Sequence, residues 1–123
     1  MASSYKSMVI SLGKEPRKYR FEGPYLVNEW EPPRRAAVYA IMTRPDPQNR
    51  PNVYRVLYIG ESSNLSERGF VRSHHKYKCF IRNAGSEDNL YIAIYLMPGS
   101  TEEDRREVEQ YLISVYEPPC NAE

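Results

Sequence analysis

Two short apolar segments separated by a proline-rich loop constrain the fold of this chain most strongly. Residues 36–42 and 53–60 are rich in β-branched and aromatic side chains, and residues 43–52 between them are rich in proline. Apolar runs of this length are typical of strands, and prolines accompanied by Asp and Asn are typical of loops. Because the two runs lie close together in the sequence, we predict that they form an antiparallel hairpin.

Two helical stretches are predicted after the hairpin. Asn64 is expected to begin the first helix, with Glu67 in the position of a capping-box partner. A second stretch opens at Ser73 or His74, continues with amphipathic spacing, and ends at Gly85, a residue that commonly terminates helices.

The remaining elements are a third strand and a last helix. Residues 90–96 have the composition of a strand. Ser100 with Glu103 is predicted to cap the last helix, which runs to about Tyr116 before the proline pair at 118–119 stops further helix.

This order of elements predicts the fold class and the domain boundaries. The order β-β-α-α-β-α favours an α/β (α+β) fold, with a small central three-stranded, mostly antiparallel sheet flanked by helices, in residues 36–123. Residues 1–35 are expected to form an N-terminal extension that packs on this domain without a core of its own. Within it, residues 17–21 interleave basic and aromatic side chains and could form a strand edge or an arm that touches a partner.

The distribution of charge is more informative than its total. With 123 residues the chain is the size of one domain, and its net charge of +1 is weak support for nucleic-acid binding. Residues 64–82, however, contain one acidic residue and five basic residues: Arg68, Arg72, Lys76, Lys78 and Arg82. This segment could follow a phosphate backbone, or it could be an ordinary solvated surface.

The cysteines and the hydropathy pattern indicate a compartment. Cys79 and Cys120 do not form a CxxC pair, and residues 1–25 lack the apolar stretch of an export signal. We therefore expect free thiols in a reducing environment. No apolar run reaches the length of a membrane span, so we expect a cytoplasmic protein that is not inserted in a membrane.

Glu109 is the most specific single candidate for a functional residue. On a helix with about 100° per residue, it falls at the edge of an apolar arc formed by Val108, Leu112, Val115 and Tyr116. A carboxylate at a core boundary costs free energy unless it is paired or holds a metal. An i,i+4 salt bridge with Arg105 is the alternative reading.

Three further side chains have suitable chemistry. The guanidinium of Arg68 could bind phosphate oxygens in a fork, or it could be an ordinary surface arginine. Tyr39 and Tyr58 could take part in proton transfer. A free phenol has a pKa of about 10, however, and this pKa must be lowered before the group can act as a base. The alternative for the tyrosines is an aromatic pair across the hairpin.

These residues occur in an order that resembles the GIY-YIG nuclease family. Residues 37–39 read Ala-Val-Tyr and residues 58–60 read Tyr-Ile-Gly; Arg68, Glu109 and Asn121 follow in that order. The resemblance covers approximately residues 36–121. It implies a GIY-YIG type fold and divalent-metal-dependent endonucleolytic hydrolysis of DNA, with double-stranded or branched DNA as the expected substrate.

The resemblance also implies a role for each matching residue. Tyr58 would activate the attacking water with help from Tyr39, Arg68 would stabilise charge in the transition state, and Glu109 would anchor one Mg²⁺ or Mn²⁺ ion. Some family members place a histidine near the position of His75, which is therefore a candidate accessory catalytic residue. The predicted nucleic-acid contacts are Gly60, Arg72, Lys76, Lys78, Arg82 and Asn121.

Two alternatives belong to other functional classes. One is a nucleic-acid-binding module that keeps the GIY-YIG fold but has little or no turnover. The other is a small zinc-stabilised adaptor in which His75, Cys79 and Cys120 hold the metal.

The chain departs from the family pattern at three places. Ala37 replaces the first glycine, and the proline-rich loop at residues 43–52 lengthens the interval between the two motifs. Glu61 follows Gly60 where several repair members have a basic residue. An acid at this position would weaken phosphate affinity or add a second metal contact.

Overall fold

One antiparallel sheet of five strands organises the protein. The computed structural model describes residues 8–66 and 70–122. In this part of the chain the strands are β1 (Val9–Lys14), β2 (Arg17–Leu26), β3 (Ala37–Thr43), β4 (Arg55–Ser62) and β5 (Tyr91–Leu96), in the spatial order β1-β2-β5-β3-β4. The helices are α1 (Tyr77–Ala84), α2 (Glu102–Tyr116) and α3 (Pro119–Ala122).

The predicted hairpin is confirmed, with small shifts in its boundaries. Strands β3 and β4 pair in antiparallel register, with Tyr39 opposite Gly60 and Ile41 opposite Tyr58. All residues of β3 are buried, since neighbouring strands flank it on both edges and helices cover both faces of the sheet. Its uninterrupted apolar sequence follows from this central position.

Each face of the sheet has its own helix. Side chains alternate between the two faces along a strand, so Tyr39 and Ile41 of β3 pack in the same core cluster as Phe80 of α1. Ala40, the residue between them, packs in the second cluster with Leu112 of α2. The mixed α/β class is therefore confirmed.

The predicted three-stranded sheet is wrong, because the N-terminal segment contributes two more strands. Strand β1 pairs with β2, and β2 pairs with β5 in the middle of the sheet. Arg17, Tyr19 and Phe21 of β2 turn inward while Lys18 and Arg20 are exposed. This period of two is the signature of a half-buried strand, but the charged residues obscure the apolar face.

Helix α2 packs against the hairpin formed by β1 and β2 and connects it to the rest of the core. The backbone N–H of Gly13 donates to the hydroxyl of Tyr116 (2.8 Å), and the hydroxyl of Tyr111 donates to the carbonyl of Arg17 (2.7 Å). The guanidinium of Arg17 lies 4.3 Å from the centre of the Tyr111 ring. The described part of residues 1–35 therefore shares the sheet and core of the domain.

The predicted last residues of the helices agree with the structure better than the predicted first residues. Residues 64–66 and 70–76 form turns, and α1 begins only at Tyr77; Glu67, the predicted capping partner, lies outside the described residues. Gly85 does end α1, in the left-handed conformation with φ 83°.

The last helix is capped one residue later than predicted. Thr101 and Asp104 form the capping box in place of Ser100 and Glu103, and α2 ends at Tyr116 as expected. The prediction that the proline pair stops further helix is wrong for the next residues, because Pro119 begins α3. Proline suits the first helical position, where its missing N–H would have had no helical partner.

The predicted free thiols are wrong, since Cys79 and Cys120 form a disulfide. The bond joins α1 to α3, and both cysteines are buried. The cysteines are 41 residues apart in the chain, so their approach depends on the packing of the two helices and leaves no local motif.

The hydropathy of the helices bears on the membrane prediction. Over residues 8–66 and 70–122, none of the helices combines the length and apolar character that crossing a bilayer would require.

Candidate functional site

The two motif tyrosines lie beside each other on neighbouring strands. Tyr39 comes from the buried strand β3 and is 4% exposed, whereas Tyr58 on the edge strand β4 is half-buried. Their ring centres are 6.1 Å apart. In the register of the hairpin they are diagonal neighbours and not a directly opposed pair. Tyr58 is therefore the more accessible of the two phenols.

His74 joins this pair, although sequence reasoning selected His75. The Nε2 atom of His74 lies 2.9 Å from the hydroxyl of Tyr39. The backbone N–H of Lys76 donates to Nδ1 of His74 (3.0 Å), so the proton of the neutral imidazole belongs on Nε2. His74 consequently donates to the hydroxyl oxygen of Tyr39.

The tautomer of His74 makes the hydroxyl of Tyr39 the acceptor in this contact. Burial raises the pKa of the neighbouring Tyr58, and the hydroxyl of Tyr39 acts in the opposite direction without reversing the shift. Burial, aided by the charges of its neighbours, raises the pKa of Tyr39 well above its ordinary value. Tyr39 therefore keeps its proton, whereas the half-buried Tyr58 is the phenol whose ionisation nearby positive charge could favour.

Glu109 lies close enough to influence both phenols. Burial is the main cause that raises the pKa of Tyr58, and the negative charge of Glu109 raises it further. The same charge contributes to the raised pKa of Tyr39. Helix α2 packs against both strands of the hairpin, β3 and β4.

The carboxylate of Glu109 fits the requirements of a cation ligand. It is half-buried, and burial, together with the negative charge of Glu61, raises its pKa. A carboxylate in this position is stabilised by any nearby positive charge. Mg²⁺ and Mn²⁺ are commonly held by one or two carboxylates with water completing the shell, so a single divalent ion suits this donor set.

The predicted alternative partner of Glu109 is engaged elsewhere. Arg105 pairs with Glu61, with Nε 2.8 Å from Oε1, and its side chain is only 6% exposed. Its Nη1 atom also donates to the carbonyl and hydroxyl oxygens of Ser100. Arg105 thus offsets the charge of Glu61, the acid that departs from the family pattern, and does not form the i,i+4 bridge to Glu109.

Gly60 is required by the ring of Tyr39. A Cβ atom at residue 60 would overlap the Oη and Cζ atoms of Tyr39. Since Tyr39 is almost fully buried, its ring has little room to retreat. This role explains the glycine without any contact to a ligand.

We predict that Gly60→Ala lowers the free energy of unfolding by about 1–3 kcal/mol, the usual cost of overpacking. Urea unfolding measures this value. Adding Tyr39→Leu should recover part of the loss, because the shorter side chain removes the overlap. An equal cost of Gly60→Ala in both backgrounds would show that the ring is not responsible.

Asn121 holds strand β4 by its backbone. Its Oδ1 accepts from the N–H of Ile59 and its Nδ2 donates to the carbonyl of Ile59, both at 2.9 Å. Ile59 lies between Tyr58 and Gly60, so α3 fixes the strand that carries the motif. The sequence prediction placed Asn121 among nucleic-acid contacts, whereas its amide is directed to the protein itself.

The predicted basic surface is less uniform than the sequence indicates. Arg72 forms a two-pronged ion pair with Glu87, at 2.8 and 2.6 Å. Lys78 and Arg82 are exposed on α1, and Lys76 precedes its first residue. Arg68, the predicted catalytic arginine, lies outside the described residues.

His75 occupies an exposed position beside the site. Its ring stacks on His74 with centres 4.6 Å apart, and it lies 6.4 Å from the ring of Tyr58. The charge of His75 helps to lower the pKa of His74. The structure therefore brings it near the tyrosines without the hydrogen bond that His74 makes.

The zinc alternative loses two of its ligands to the disulfide, because a bonded cysteine has no thiolate to offer. Across residues 8–66 and 70–122, no group of three or more His, Cys, Asp and Glu side chains is arranged to hold a metal.

His74 should make stability depend on pH. Burial, with the positive charges of His75 and Lys76, lowers its pKa from 6.5 to about 4. Between these pH values the unfolded chain binds a proton that the folded protein does not. The free energy of unfolding therefore falls as the pH falls through this window, and the full contribution of His74 is present above it. Since His74 is only half-buried, we expect a loss of roughly 1–2 kcal/mol.

The variant His74→Gln keeps an N–H donor for Tyr39 but does not titrate. Urea unfolding at pH 7 and pH 5 should therefore show a smaller loss for this variant than for the wild type. Equal losses in the two proteins would contradict the lowered pKa of His74.

Comparison with known proteins adds no relative: no family model matches the chain, and no curated protein or solved structure matches it.

Sequence reasoning missed His74 and the pair formed by Glu61 and Arg105. His74 and His75 are adjacent and equivalent in a sequence pattern, and only the turn that precedes α1 determines which imidazole faces Tyr39. The pairing of Glu61 with Arg105 joins β4 to α2, which no local spacing predicts.

Proposed function

We propose that this protein is a divalent-metal-dependent endonuclease that hydrolyses DNA phosphodiester bonds in the manner of the GIY-YIG family. The observation that carries the proposal is the cluster of His74, Tyr39 and Tyr58, with the half-buried Glu109 near enough for its charge to act on both phenols. It supplies an accessible phenol and a carboxylate, and a nearby cation would favour the charged form of each.

Tyr58 would act as the general base. Burial raises its pKa, and positive charge from a divalent cation and a guanidinium nearby would favour its charged form. Its phenolate would take a proton from a water molecule, and the water oxygen would attack phosphorus in line with the leaving oxygen. Tyr39 and His74 would position this base, because their rings pack against that of Tyr58 and are held together by a hydrogen bond.

The charge of the transition state would be stabilised from two directions. A divalent cation on Glu109 would neutralise phosphate charge and favour departure of the leaving oxygen. From the resemblance, the guanidinium of Arg68 would bind the phosphate oxygens in a fork. Gly60 and Asn121 would keep β4 in place beneath the substrate.

The second candidate is a nucleic-acid-binding module without turnover. It is favoured by the raised pKa of Tyr58, which keeps this phenol protonated at neutral pH unless positive charge is added nearby. The pairing of Arg72 with Glu87 also reduces the charge available to phosphate.

Incubation with supercoiled plasmid, branched DNA and RNA separates the two functions. The nuclease proposal expects nicking of DNA in Mg²⁺ or Mn²⁺ and none in EDTA. Binding to these substrates without cleavage under every condition would favour the module, and the absence of both would refute both.

A further inference from the structure

A small cavity lies next to the tyrosine pair but belongs to different residues. Its volume is about 170 Å³. For scale, an engineered apolar cavity of about 150 Å³ holds one benzene molecule. The lining residues in the described chain are Val27, Asn28, Trp30, Pro32, Phe70, Val71 and Arg72. The cavity therefore matches one planar ring system and is too small for a base pair.

Two of the residues that line the cavity are aromatic. Trp30 and Phe70 meet edge to face, with ring centres 6.3 Å apart and planes at 65°. Both side chains are half-buried, so each keeps part of its ring surface accessible. Ring faces of this kind are the surfaces on which unpaired nucleobases stack in proteins that bind single strands.

The rim of the cavity is polar and held in place. The carboxylate of Glu87 accepts two hydrogen bonds from the guanidinium of Arg72, and Nη2 of Arg72 also donates to Oδ1 of Asn28 (3.3 Å). Nδ2 of Asn28 donates in turn to Asp88 (3.1 Å). An amide has two donors and two acceptor sites, and these bonds use one of each. The remaining donor and acceptor suit the edge of a nucleobase.

Phe70 connects the cavity to the proposed catalytic residues. Its ring packs edge to face against Tyr39, with centres 4.9 Å apart and planes at 84°. The cavity is thus separated from the tyrosine pair by a single ring. A nucleotide whose phosphate lies at Tyr58 would place a neighbouring base close to the cavity.

We propose that this cavity binds one unpaired nucleobase next to the phosphodiester that is cut. The inference rests on the proposed function, and it narrows the substrate to DNA that is single-stranded or has an unpaired nucleotide at a branch or end. A base in an intact duplex is stacked and paired, so entering the cavity would first require its removal from the helix.

Trp30 provides a direct probe, because it is the only tryptophan in the chain. Its fluorescence is followed in EDTA, where cleavage is not expected, during titration with a thymidine 12-mer. The matched ligands are a strand of the same length in which every nucleotide is abasic, and the corresponding duplex. Fluorescence anisotropy of end-labelled strands measures binding independently.

We expect saturable quenching of Trp30 by the thymidine strand, and little or none by the abasic strand or the duplex. Phe70→Leu should weaken binding of the thymidine strand about tenfold or more, the loss expected for one base stack. Because Phe70 also packs on Tyr39, Asn28→Ala on the exposed rim is the second variant, and it should weaken binding without affecting the fold. Tyr95→Leu, outside the cavity, should have no effect on binding.

Equal quenching by the thymidine and abasic strands, binding without any change in Trp30 fluorescence, or no binding would overturn the proposal. The outcome is separable from that of the proposed function. Nicking in Mg²⁺ without quenching would refute the cavity alone, whereas quenching without nicking would refute the nuclease alone.

Discussion

Glu109→Gln is expected to lower metal-dependent cleavage of DNA by roughly 10³-fold or more. The substitution preserves the size of the side chain but removes the charge that would hold the cation. Metal ions supply several kcal/mol of transition-state stabilisation, and each 1.36 kcal/mol corresponds to about tenfold in rate. Initial rates of plasmid nicking over a range of Mg²⁺ concentrations measure the effect.

The same variant should not lose stability. The carboxylate of Glu109 is half-buried beside the charge of Glu61, and its pKa is raised, so its neutral replacement relieves a cost in the metal-free protein. Glu103→Gln, an exposed substitution on the same helix, is the matched control and should cleave at the wild-type rate. A Glu109→Gln protein that nicks plasmid as fast as this control would refute the assigned role.

Tyr58→Phe is expected to lower the cleavage rate by about 10²–10⁴-fold, the usual contribution of a general base. The ring and its packing against Phe80 and His74 are kept, so only the hydroxyl is lost. The effect should appear in kcat, with binding of DNA nearly unchanged. Single-turnover cleavage and binding in EDTA measure these quantities separately.

Tyr95→Phe supplies the control for the loss of a hydroxyl. Tyr95 packs against Tyr19 and Phe21, at ring distances of 5.1 and 5.6 Å, in the cluster on the other face of the sheet. Its variant should retain activity. If Tyr58→Phe also retains activity, the base must be sought in another group.

The hairpin and the last helix were predictable because their signals are local. The strand around Tyr39 is an unbroken apolar run, and the helix that carries Glu109 has a cap, an amphipathic arc and a proline stop close together in the sequence. Propensity and periodicity are sufficient for such elements.

Strands β1 and β2 were not predicted because few of their side chains contribute to an apolar face. In β2 only every second side chain faces the core, and one of these is the stem of Arg17, which packs over the ring of Tyr111. A long basic side chain can cover apolar surface in this way. A hydropathy pattern counts it as polar and consequently places the segment outside the sheet.

Some features of the candidate site were also predictable from local sequence signals, and others were not. Residue types and order selected Tyr39, Tyr58 and Glu109 as candidates, and the charge of Glu109 contributes to the raised pKa of both phenols. The choice of His74 over His75, and the use of Asn121 as a tether for Ile59, depend on three-dimensional packing. Spacing alone cannot distinguish a side chain that faces the site from its neighbour.

The most direct test of the central claim is to locate a bound Mn²⁺ ion relative to the tyrosines. NMR spectra of protein labelled in its tyrosine rings are recorded as Mn²⁺, which broadens nearby signals, is added in small amounts. We predict selective broadening of Tyr39 and Tyr58 and its loss in Glu109→Gln, with Tyr19 and Tyr95 as internal references. Broadening that spares Tyr39 and Tyr58, or that persists unchanged in the variant, would contradict a cation held by Glu109 beside the two phenols.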